Sequence, residues 1–227
     1  MTDRLSGIKA CVFDAYGTLF DFNAAVVRQR EAIGPQADRL SEMWRQKQIS
    51  YTWLRTFAGT YAPFWQVTGE ALDYCLEACG ITTPGIRDTL MDAYLHLDPF
   101  PEVRATLDAL RAGGMKTAIL SNGDPQMLGA VVRNAGFTSL FDALLSVDAV
   151  KAFKTDPRVY RLATDGLGVA PNEICFLSSN GWDAHAAAHF GFQVCWINRG
   201  GAPRERLPGQ LARELTSLAP LPSLVLG

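Results

Sequence analysis

Apolar residues form four short continuous runs along the chain, and each run ends in polar or small residues. The runs are KACVFDA (9–15), KTAILSN (116–122), EICFLSS (173–179) and FQVCWIN (192–198). A strand that is buried on both faces of a sheet loses its polar alternation, so these runs predict strands of a parallel sheet. A shorter fifth strand is predicted at FDALLSV (141–147).

Helical patterns separate most of these strands. The segment 102–114 places Val103, Leu107 and Leu110 at helical spacing and ends in glycines, which commonly stop helices. Further helices are predicted within 125–137 and 183–192, after the second and third strands. This alternation predicts an α/β fold with a doubly wound, Rossmann-like parallel-sheet core. In such a sheet the chemistry lies at the carboxyl ends of the strands.

The stretch between the first strand and the rest of the sheet has a different character. Residues 21–98 are rich in helix formers and aromatic side chains and contain no comparable strand pattern. We predict that they form a helical cap domain inserted into a core domain of residues 1–20 and 99–227. Pro99 and Pro101 stiffen the predicted return linker. The C-terminal PLPSLVLG (220–227) is predicted to form a final helix or a tail packed on the core.

Composition narrows the setting in which the protein acts. The 227 residues carry a formal net charge of −2, which does not suggest a nucleic acid or an anionic membrane as a partner. We find neither a run of about 18 apolar residues nor an apolar leader, and we therefore expect a cytoplasmic location. Five cysteines, an odd number, favour reduced and buried thiols over a disulfide framework.

Polar side chains follow most of the predicted strands. Asp14 ends the first strand, residues 121–123 (SNG) end the second, Lys154 follows the shorter strand, and residues 178–183 (SSNGWD) follow the next. Each feature alone is weak, because a strand-end aspartate often only caps a turn and a lone lysine is usually solvated. An acid, a hydroxyl with amides, a lysine and a second acid in this order predict one active site at the rim of the sheet.

These segments resemble a known family. DAYGT (14–18), SNG (121–123), FKTD (153–156) and SSNGWD (178–183) resemble the four motifs of the haloacid dehalogenase (HAD) superfamily. The cap segments WRQKQ (44–48) and YTWLR (51–55) and the later CWINR (195–199) are similar to those of its (S)-2-haloacid, or L-2-haloacid, dehalogenase branch. The resemblance covers nearly the whole chain. It implies a hydrolase that converts (S)-2-haloalkanoic acids into (R)-2-hydroxy acids with inversion, through an aspartyl ester, and it suggests a homodimer.

The resemblance also implies roles for the matching residues. Asp14 is the expected nucleophile, and the Thr18 hydroxyl is expected to fix its rotamer. Lys154 would keep the nucleophile ionised, because an opposite charge favours the charged form of a carboxyl group. Asp183 and Asn180, helped by the lysine, are expected to position or activate the hydrolytic water.

A second set of residues is expected to hold the substrate carboxylate. Ser121 and the backbone amides around Asn122 would bind it, since amides at a strand-to-helix turn form a ready anion site. Amides near Ala15 and Tyr16 would add to this site.

The remaining expected residues surround the halide and the alkyl group or support the catalytic set. Arg45 matches the family arginine that receives the halide, with a surface arginine as the alternative interpretation. Phe64 and Trp182 would form an apolar wall, with ordinary core packing as the alternative. Tyr160 is expected to donate a hydrogen bond within the site or to pack beside the lysine, and Ser178 to hold the lysine or the carboxylate.

Two positions distinguish this chain from the phosphatases of the same superfamily. Phosphatases usually carry a proton-donating acid two residues after the nucleophile, where this chain has Tyr16, and an acid early in the fourth motif, where it has Ser178 and Ser179. Mg²⁺ prefers several oxygen ligands, commonly carboxylates, so we predict that the enzyme uses no metal and no other cofactor. A halide leaves as a stable anion and needs no proton donor.

Three alternatives remain open. A related hydrolase of the same branch, acting on azetidine-2-carboxylate or fluoroacetate, would use nearly the same residues. A Mg²⁺-dependent phosphatase is the commoner activity of the superfamily, and Tyr16 and Ser179 argue against it. A non-catalytic binding protein on this fold is disfavoured by the intact set of Asp14, Lys154 and Asp183.

Overall fold

The computed structural model describes residues 4–226, and their regular elements alternate between strands and helices. The strands are β1 (Ala10–Phe13), β2 (Lys116–Ser121), β3 (Ala143–Ser146), β4 (Ile174–Ser178), β5 (Gln193–Ile197) and β6 (Arg213–Leu215). The helices are α1 (Ala24–Val27), α2 (Arg30–Ile33), α3 (Ala37–Ala58), α4 (Phe64–Cys79), α5 (Ile86–Ala93), α6 (Val103–Ala112), α7 (Pro125–Asn134), α8 (Pro157–Leu167), α9 (Gly181–Phe190) and α10 (Leu221–Val225).

The six strands form one parallel sheet in the order β3-β2-β1-β4-β5-β6. In the centre, Val12 of β1 is in register with Ala118 of β2 and Phe176 of β4, and all three side chains are fully buried. The predicted α/β fold with a doubly wound parallel sheet is therefore confirmed. The sequence did not predict β6, a three-residue edge strand whose residues, Arg213–Leu215, contain two charged side chains.

Helices pack against the sheet as the alternating pattern requires. Helix α6 packs against β2 and α10, whereas α8 packs against β2, β3 and α9. The predicted C-terminal segment forms α10, in which Leu221, Leu224 and Val225 are buried. None of the helices between residues 4 and 226 has the length and apolarity needed to cross a bilayer.

Helices α1 to α5 occupy the stretch between β1 and α6, as predicted for the cap. The longest helix, α3, packs against α4, and the Trp44 Nε1 group donates a hydrogen bond to the Thr68 carbonyl at 2.9 Å. The two connections to the core run side by side, because Asp21 N donates to Asp98 O at 2.9 Å and Phe20 pairs with Pro99. The division into a core and a cap at residues 20 and 99 stays a prediction, and this close pair of crossings supports it.

The order of the strands determines where along the sheet a binding crevice can form. The chain moves to one side of β1 for β2 and β3 and to the other side for β4 to β6. A crevice forms at such a switch point, outside the carboxyl ends of the strands. Asp14 and Asn180 both lie there, because they follow β1 and β4.

Candidate active site

The nucleophile predicted from the sequence sits directly after the central strand. Asp14 continues the pairing of β1 with β4, since its backbone amide donates to Leu177 O at 2.8 Å. Three residues later, Gly17 turns the chain with a φ of 88°. A Cβ atom at this position would lie 2.8 Å from the Ser179 hydroxyl, so both the backbone angle and the space require glycine. The turn keeps Asp14 nearly buried and at the rim of the sheet.

Both oxygens of the Asp14 carboxylate accept hydrogen bonds. Oδ1 accepts from Lys154 Nζ at 3.1 Å, and Oδ2 accepts from Asn180 Nδ2 at 2.8 Å. The Thr18 hydroxyl approaches Oδ2 at a longer distance of 3.5 Å. It also accepts a hydrogen bond from Ser179 N at 2.8 Å, which ties the first turn to the turn after β4. The carboxylate is therefore held in one orientation from several strand ends.

A second buried carboxylate shares the same lysine. Lys154 Nζ lies 2.8 Å from Asp183 Oδ2, and the Tyr160 hydroxyl donates to Asp183 Oδ1 at 2.8 Å. Burial raises the pKa of Asp183 above its ordinary value, although the lysine and the tyrosine oppose the rise. Burial alone would lower the pKa of Lys154, but its two carboxylate partners outweigh this effect and raise it. The ammonium group thus stays charged between Asp14 and Asp183.

The residues predicted to bind the substrate carboxylate also organise the site internally. Ser121 Oγ accepts a hydrogen bond from Gly123 N at 3.1 Å. Asn122 Oδ1 accepts from the backbone amide of Lys154 at 2.9 Å, so this side chain fixes the loop that carries the lysine. This contact could not be predicted from the sequence, because an SNG segment carries no information about which way its amide points.

Two further predicted residues, Ser178 and Ala15, form hydrogen bonds mainly with backbone groups. The Ser178 hydroxyl accepts a hydrogen bond from Asn180 N at 3.2 Å, within the turn that follows β4. Within residues 4–226 it makes no hydrogen bond to Lys154, so the expected contact with the lysine is not observed. A serine at the end of β4 closes the turn into α9, which explains the difference. Ala15 is fully buried, and its carbonyl accepts from two amides of the following turn.

A small cavity opens beside the Asp14 carboxylate. Its volume is about 10 Å³, room for roughly one water molecule. Ile49 also lines the cavity, although the sequence did not single it out. It lies one helical turn after Arg45 on α3, and this four-residue spacing is the signal that could have identified it. The predicted residues that line the cavity are Asp14, Tyr16, Arg45, Phe64, Ser121, Asn122, Lys154, Asn180 and Trp182.

Arg45 points into this cavity and is not a surface arginine. Its Nη1 donates to Gln48 Oε1 at 2.8 Å and its Nη2 to Asn180 Oδ1 at 3.2 Å. The guanidinium carbon lies 4.7 Å from the centre of the Phe22 ring. The buried Nε has no hydrogen-bond partner within residues 4–226, and neither does the buried Tyr16 hydroxyl. Arg45 therefore keeps a donor free and lines the same cavity as Asp14, as an anion-binding group would require.

Aromatic side chains form the apolar part of the cavity wall. The Phe64 ring is buried and lies 6.0 Å from the Tyr16 ring. Trp182, at the start of α9, packs edge-on against Trp53 of α3, with 5.5 Å between the ring centres. The expected wall residues thus line the cavity and also pack against the protein.

The arrangement suits displacement at a carbon atom that bears an anionic leaving group. The Asp14 carboxylate is held in place by hydrogen bonds, as an attacking group must be, and the positively charged Arg45 lines the same cavity. Among residues 4–226, no cluster of three or more histidine, cysteine, aspartate or glutamate side chains is arranged to hold a metal ion.

Comparisons with known proteins agree with this geometry. Residues 8–191 match the family model of the haloacid dehalogenase-like hydrolases. The chain is 48% identical to (S)-2-haloacid dehalogenase 1 of Pseudomonas sp. (strain CBS-3) over 220 residues, 96% of this chain and 97% of that protein. A dehalogenase crystal structure superposes with a TM-score of 0.96 at 43% identity, covering 98% of this chain and 99% of the other. The L-2-haloacid dehalogenase of Xanthobacter autotrophicus, solved with chloropropionic acid covalently bound, gives a TM-score of 0.88 at 39% identity, covering 96% and 98% of the two chains.

Proposed function

The chain belongs to the haloacid dehalogenase-like hydrolases, in their (S)-2-haloacid dehalogenase branch, and we propose that it hydrolyses (S)-2-haloalkanoic acids to (R)-2-hydroxy acids. The observation that carries this proposal is the Asp14 carboxylate, which is held through both oxygens beside a cavity that also contains the unpaired Nε of Arg45. This combination provides a nucleophile and a receptor for the departing anion within one small space.

In the first step, an oxygen of Asp14 attacks C2 of the substrate from the side opposite the halogen. The new C–O bond forms while the carbon–halogen bond breaks, and the halide leaves with both bonding electrons. Configuration at C2 is inverted, and an ester with Asp14 results. The hydrogen bonds from Lys154 and Asn180 lower the entropy that must be lost to align the nucleophile. Arg45 receives the halide.

In the second step, water attacks the carbonyl carbon of the ester. Asp183 takes a proton from the water and returns it to the oxygen of the departing hydroxy acid, while the water oxygen stays on Asp14. Burial raises the pKa of Asp183 and makes it a stronger base than an exposed aspartate. Tyr160 holds the Asp183 carboxylate, and Asn180 helps to place the water.

Substrate binding follows from the same cavity. Ser121 and the amides around Asn122 hold the substrate carboxylate, with the amides near Ala15 and Tyr16 as additional donors. Phe64 and Trp182 enclose the alkyl group, and their fixed packing keeps water away from C2 during displacement.

We propose that this chemistry requires no metal or other cofactor. Asp14 and Asp183 carry two negative charges, and Lys154 and Arg45 carry two positive charges, so a monocarboxylate adds a single net negative charge. Burial raises the pKa of Tyr16 well above its ordinary value, so this side chain stays neutral where a phosphatase has an acid. A phosphate ester would bring a second negative charge without a cation to balance it.

The direct experiment measures halide release from the separate enantiomers of 2-chloropropionate, with and without EDTA. We expect release from the S form alone, a product of inverted configuration, and no effect of EDTA. Absence of release from the S form would contradict the proposed function, and loss of activity with EDTA would contradict the metal-free mechanism. Fluoroacetate, azetidine-2-carboxylate and a phosphate ester assayed in parallel test the alternative activities.

A matched pair of variants separates the two steps. Asp14→Asn removes the nucleophile and should release no halide. Asp183→Asn keeps the nucleophile and removes the base, so it should release about one halide per active site and then stall as the ester. Mass spectrometry of the stalled protein should place the added mass on Asp14. A halide burst in Asp14→Asn, or full turnover in Asp183→Asn, would contradict the assigned roles.

We also propose that the protein is a cytoplasmic homodimer. The five cysteines are free and buried, which fits a reducing compartment. On the outer face of α3, Leu54 is 62% exposed, and Lys47 packs its ammonium on the rings of Tyr51 and Tyr74 at 5.7 and 4.0 Å. This partly apolar face suits a second copy of the chain. Sedimentation should show a dimer that Leu54→Glu dissociates; a monomeric wild type would refute the proposal.

A further inference from the structure

A buried glutamine lies behind the arginine that lines the catalytic cavity. Gln48 is fully buried on α3, three residues after Arg45, and residues at this spacing are neighbours on the helix surface. Within residues 4–226, the lining of the catalytic cavity includes Arg45 but not Gln48. An effect of the glutamine on the reaction therefore has to pass through the arginine.

The hydrogen bonds of Gln48 fix the direction of its side-chain amide. Oε1 accepts from Arg45 Nη1 at 2.8 Å, and Nε2 donates to the Thr68 hydroxyl of α4 at 2.8 Å. The Tyr94 hydroxyl adds a longer contact to Oε1, at 3.4 Å. A guanidinium group can only donate, so the amide oxygen has to face the arginine. The contact with α4 thus holds one acceptor in place for Arg45.

Arg45 differs from Arg55, on the same helix, in the charge of its partners. The acceptors of Arg45 are the amide oxygens of Gln48 and Asn180, and both are neutral. Arg55 instead pairs with the Glu70 carboxylate of α4 at 2.5 Å. A carboxylate compensates the charge of a guanidinium group, whereas an amide holds the group and leaves its charge for another anion.

Burial makes the choice between an amide and an acid at position 48 consequential. Both Gln48 and Thr68 are fully buried, and a charge pair that is shielded from water is strengthened by its surroundings. An acid at this position would therefore bind Arg45 tightly and compete with any anion in the cavity. The buried Nε of Arg45, which has no partner within residues 4–226, would then lose its electrostatic advantage.

We propose that Gln48 is a positioning residue for the dehalogenation reaction. It holds Arg45 at the cavity through a neutral acceptor and so keeps the charge of the arginine available to the departing halide. The inference rests on the proposed function, which assigns halide binding to Arg45. Gln48 itself takes part in no bond formation and no proton transfer.

Two substitutions of Gln48 separate the orientation of Arg45 from its charge. Gln48→Met fills similar space without an acceptor, so kcat on (S)-2-chloropropionate should fall about ten-fold while KM changes by less than about three-fold. Gln48→Glu keeps the shape and the acceptor but compensates the arginine, so kcat should fall about 100-fold. Its affinity for chloride, measured by line broadening of the chloride NMR signal without any turnover, should fall at least about ten-fold.

A matched control and a second background test whether the effect passes through Arg45. Gln66→Glu makes the same chemical change on α4, where Gln66 is exposed and donates to Glu70. This variant should keep the kcat and the chloride affinity of the wild type. In an Arg45→Met background, neither substitution of Gln48 should lower kcat further, because the partner through which the glutamine acts is absent.

A glutamine that only packs between helices would give a different result. The Tm of Gln48→Met would fall, while kcat and chloride affinity per folded molecule would stay at the wild-type values, and this result would overturn the inference. Wild-type kcat in Gln48→Glu, or a further loss of kcat in the Arg45→Met background, would also overturn it. If Gln48→Met does not fold, the isosteric Gln48→Glu still decides.

The chloride measurement keeps this inference distinct from the proposed function. A wild type that binds chloride but releases no halide from 2-chloropropionate would contradict the proposed function, and the chloride affinities of the variants would still test Gln48. A wild type that binds no chloride would overturn the inference, because Arg45 would then have no halide to receive.

Discussion

Replacing Lys154 with methionine is the sharpest test of how this site is held together. Methionine keeps much of the length of the lysine side chain but removes its charge. The lysine side chain is 1% exposed, and its ammonium group lies between two buried carboxylates, 3.1 Å from Asp14 Oδ1 and 2.8 Å from Asp183 Oδ2. The substitution leaves both carboxylates without their shared partner.

The expected loss of stability follows from these distances. At an effective dielectric constant of about 20, each ion pair contributes about 5–6 kcal/mol of attraction. Moving the ammonium out of water costs several kcal/mol, and the loss on breaking a buried pair is about 3–5 kcal/mol. For a chain of this size, that corresponds to a fall in Tm of roughly 6–20 °C.

The loss should also depend on pH. The folded-state pKa of Asp183 is raised above its ordinary value, so its charged form costs stability as pH rises through that pKa. Lys154 lowers the pKa of Asp183, so without the lysine this buried carboxylate protonates more readily, and protonation removes its unpaired charge. The variant should therefore lose most stability near about pH 8 and recover part of it near about pH 5.

Urea unfolding of the wild type, Lys154→Met and Lys151→Met at both pH values provides the assay. Lys151 pairs with Asp148 at 2.9 Å but is 62% exposed, so its replacement should cost at most about 1 kcal/mol at either pH. A loss below about 1 kcal/mol in Lys154→Met, or a loss that grows as pH falls, would refute the electrostatic reasoning.

Three further outcomes follow from the contacts of the site. Tyr160→Phe removes a hydrogen bond that lowers the pKa of Asp183, so the acid limb of kcat against pH should move up by roughly one pH unit; an unmoved limb would contradict this. Arg45→Lys keeps a charge but loses the fixed guanidinium donors, and kcat on (S)-2-chloropropionate should fall about 100-fold; a fall below about five-fold would argue against halide binding. The five cysteines are buried, and burial raises the pKa of Cys75, for example, to about 11. A thiol reagent should therefore modify none of them in the native protein and all five in urea, and fast reaction of the native protein would contradict this.

The sheet could be predicted because its central strands are buried on both faces. Residues 10–13 and 174–178 consist almost entirely of apolar side chains, and this pattern is difficult to satisfy in any other element. By contrast, β6 lies at the edge of the sheet, pairs only with β5 and contains Arg213 and Glu214. A short edge strand is defined by its neighbour and not by its own sequence, so no local pattern could have predicted it.

The candidate site could be predicted as a set of residues but not as a set of contacts. Parallel strands end at one edge, so Asp14, Lys154 and Asp183 were expected to converge, and their ion pairs place them together. The partners of Asn122 and Ser178 depend on side-chain rotamers at turns, which the pattern of the sequence does not encode. Asn122 acts on the lysine loop and Ser178 on the turn into α9, and both contacts became visible only in three dimensions.

The double support of Asp14 suits a reaction in which its two oxygens exchange roles. During displacement one oxygen becomes the ester oxygen, and the other becomes the carbonyl that must accept negative charge when water attacks. Lys154 donates to Oδ1, and Asn180 donates to Oδ2. Whichever oxygen attacks, a positioned donor remains on the other, where charge develops in the second step. In a phosphatase the water of the second step attacks phosphorus, so negative charge does not develop on the aspartate carbonyl and a donor on each oxygen is not needed. The two donors to Asp14 and the neutral Tyr16 therefore favour the same mechanism. That mechanism is displacement at carbon followed by hydrolysis of an ester of Asp14.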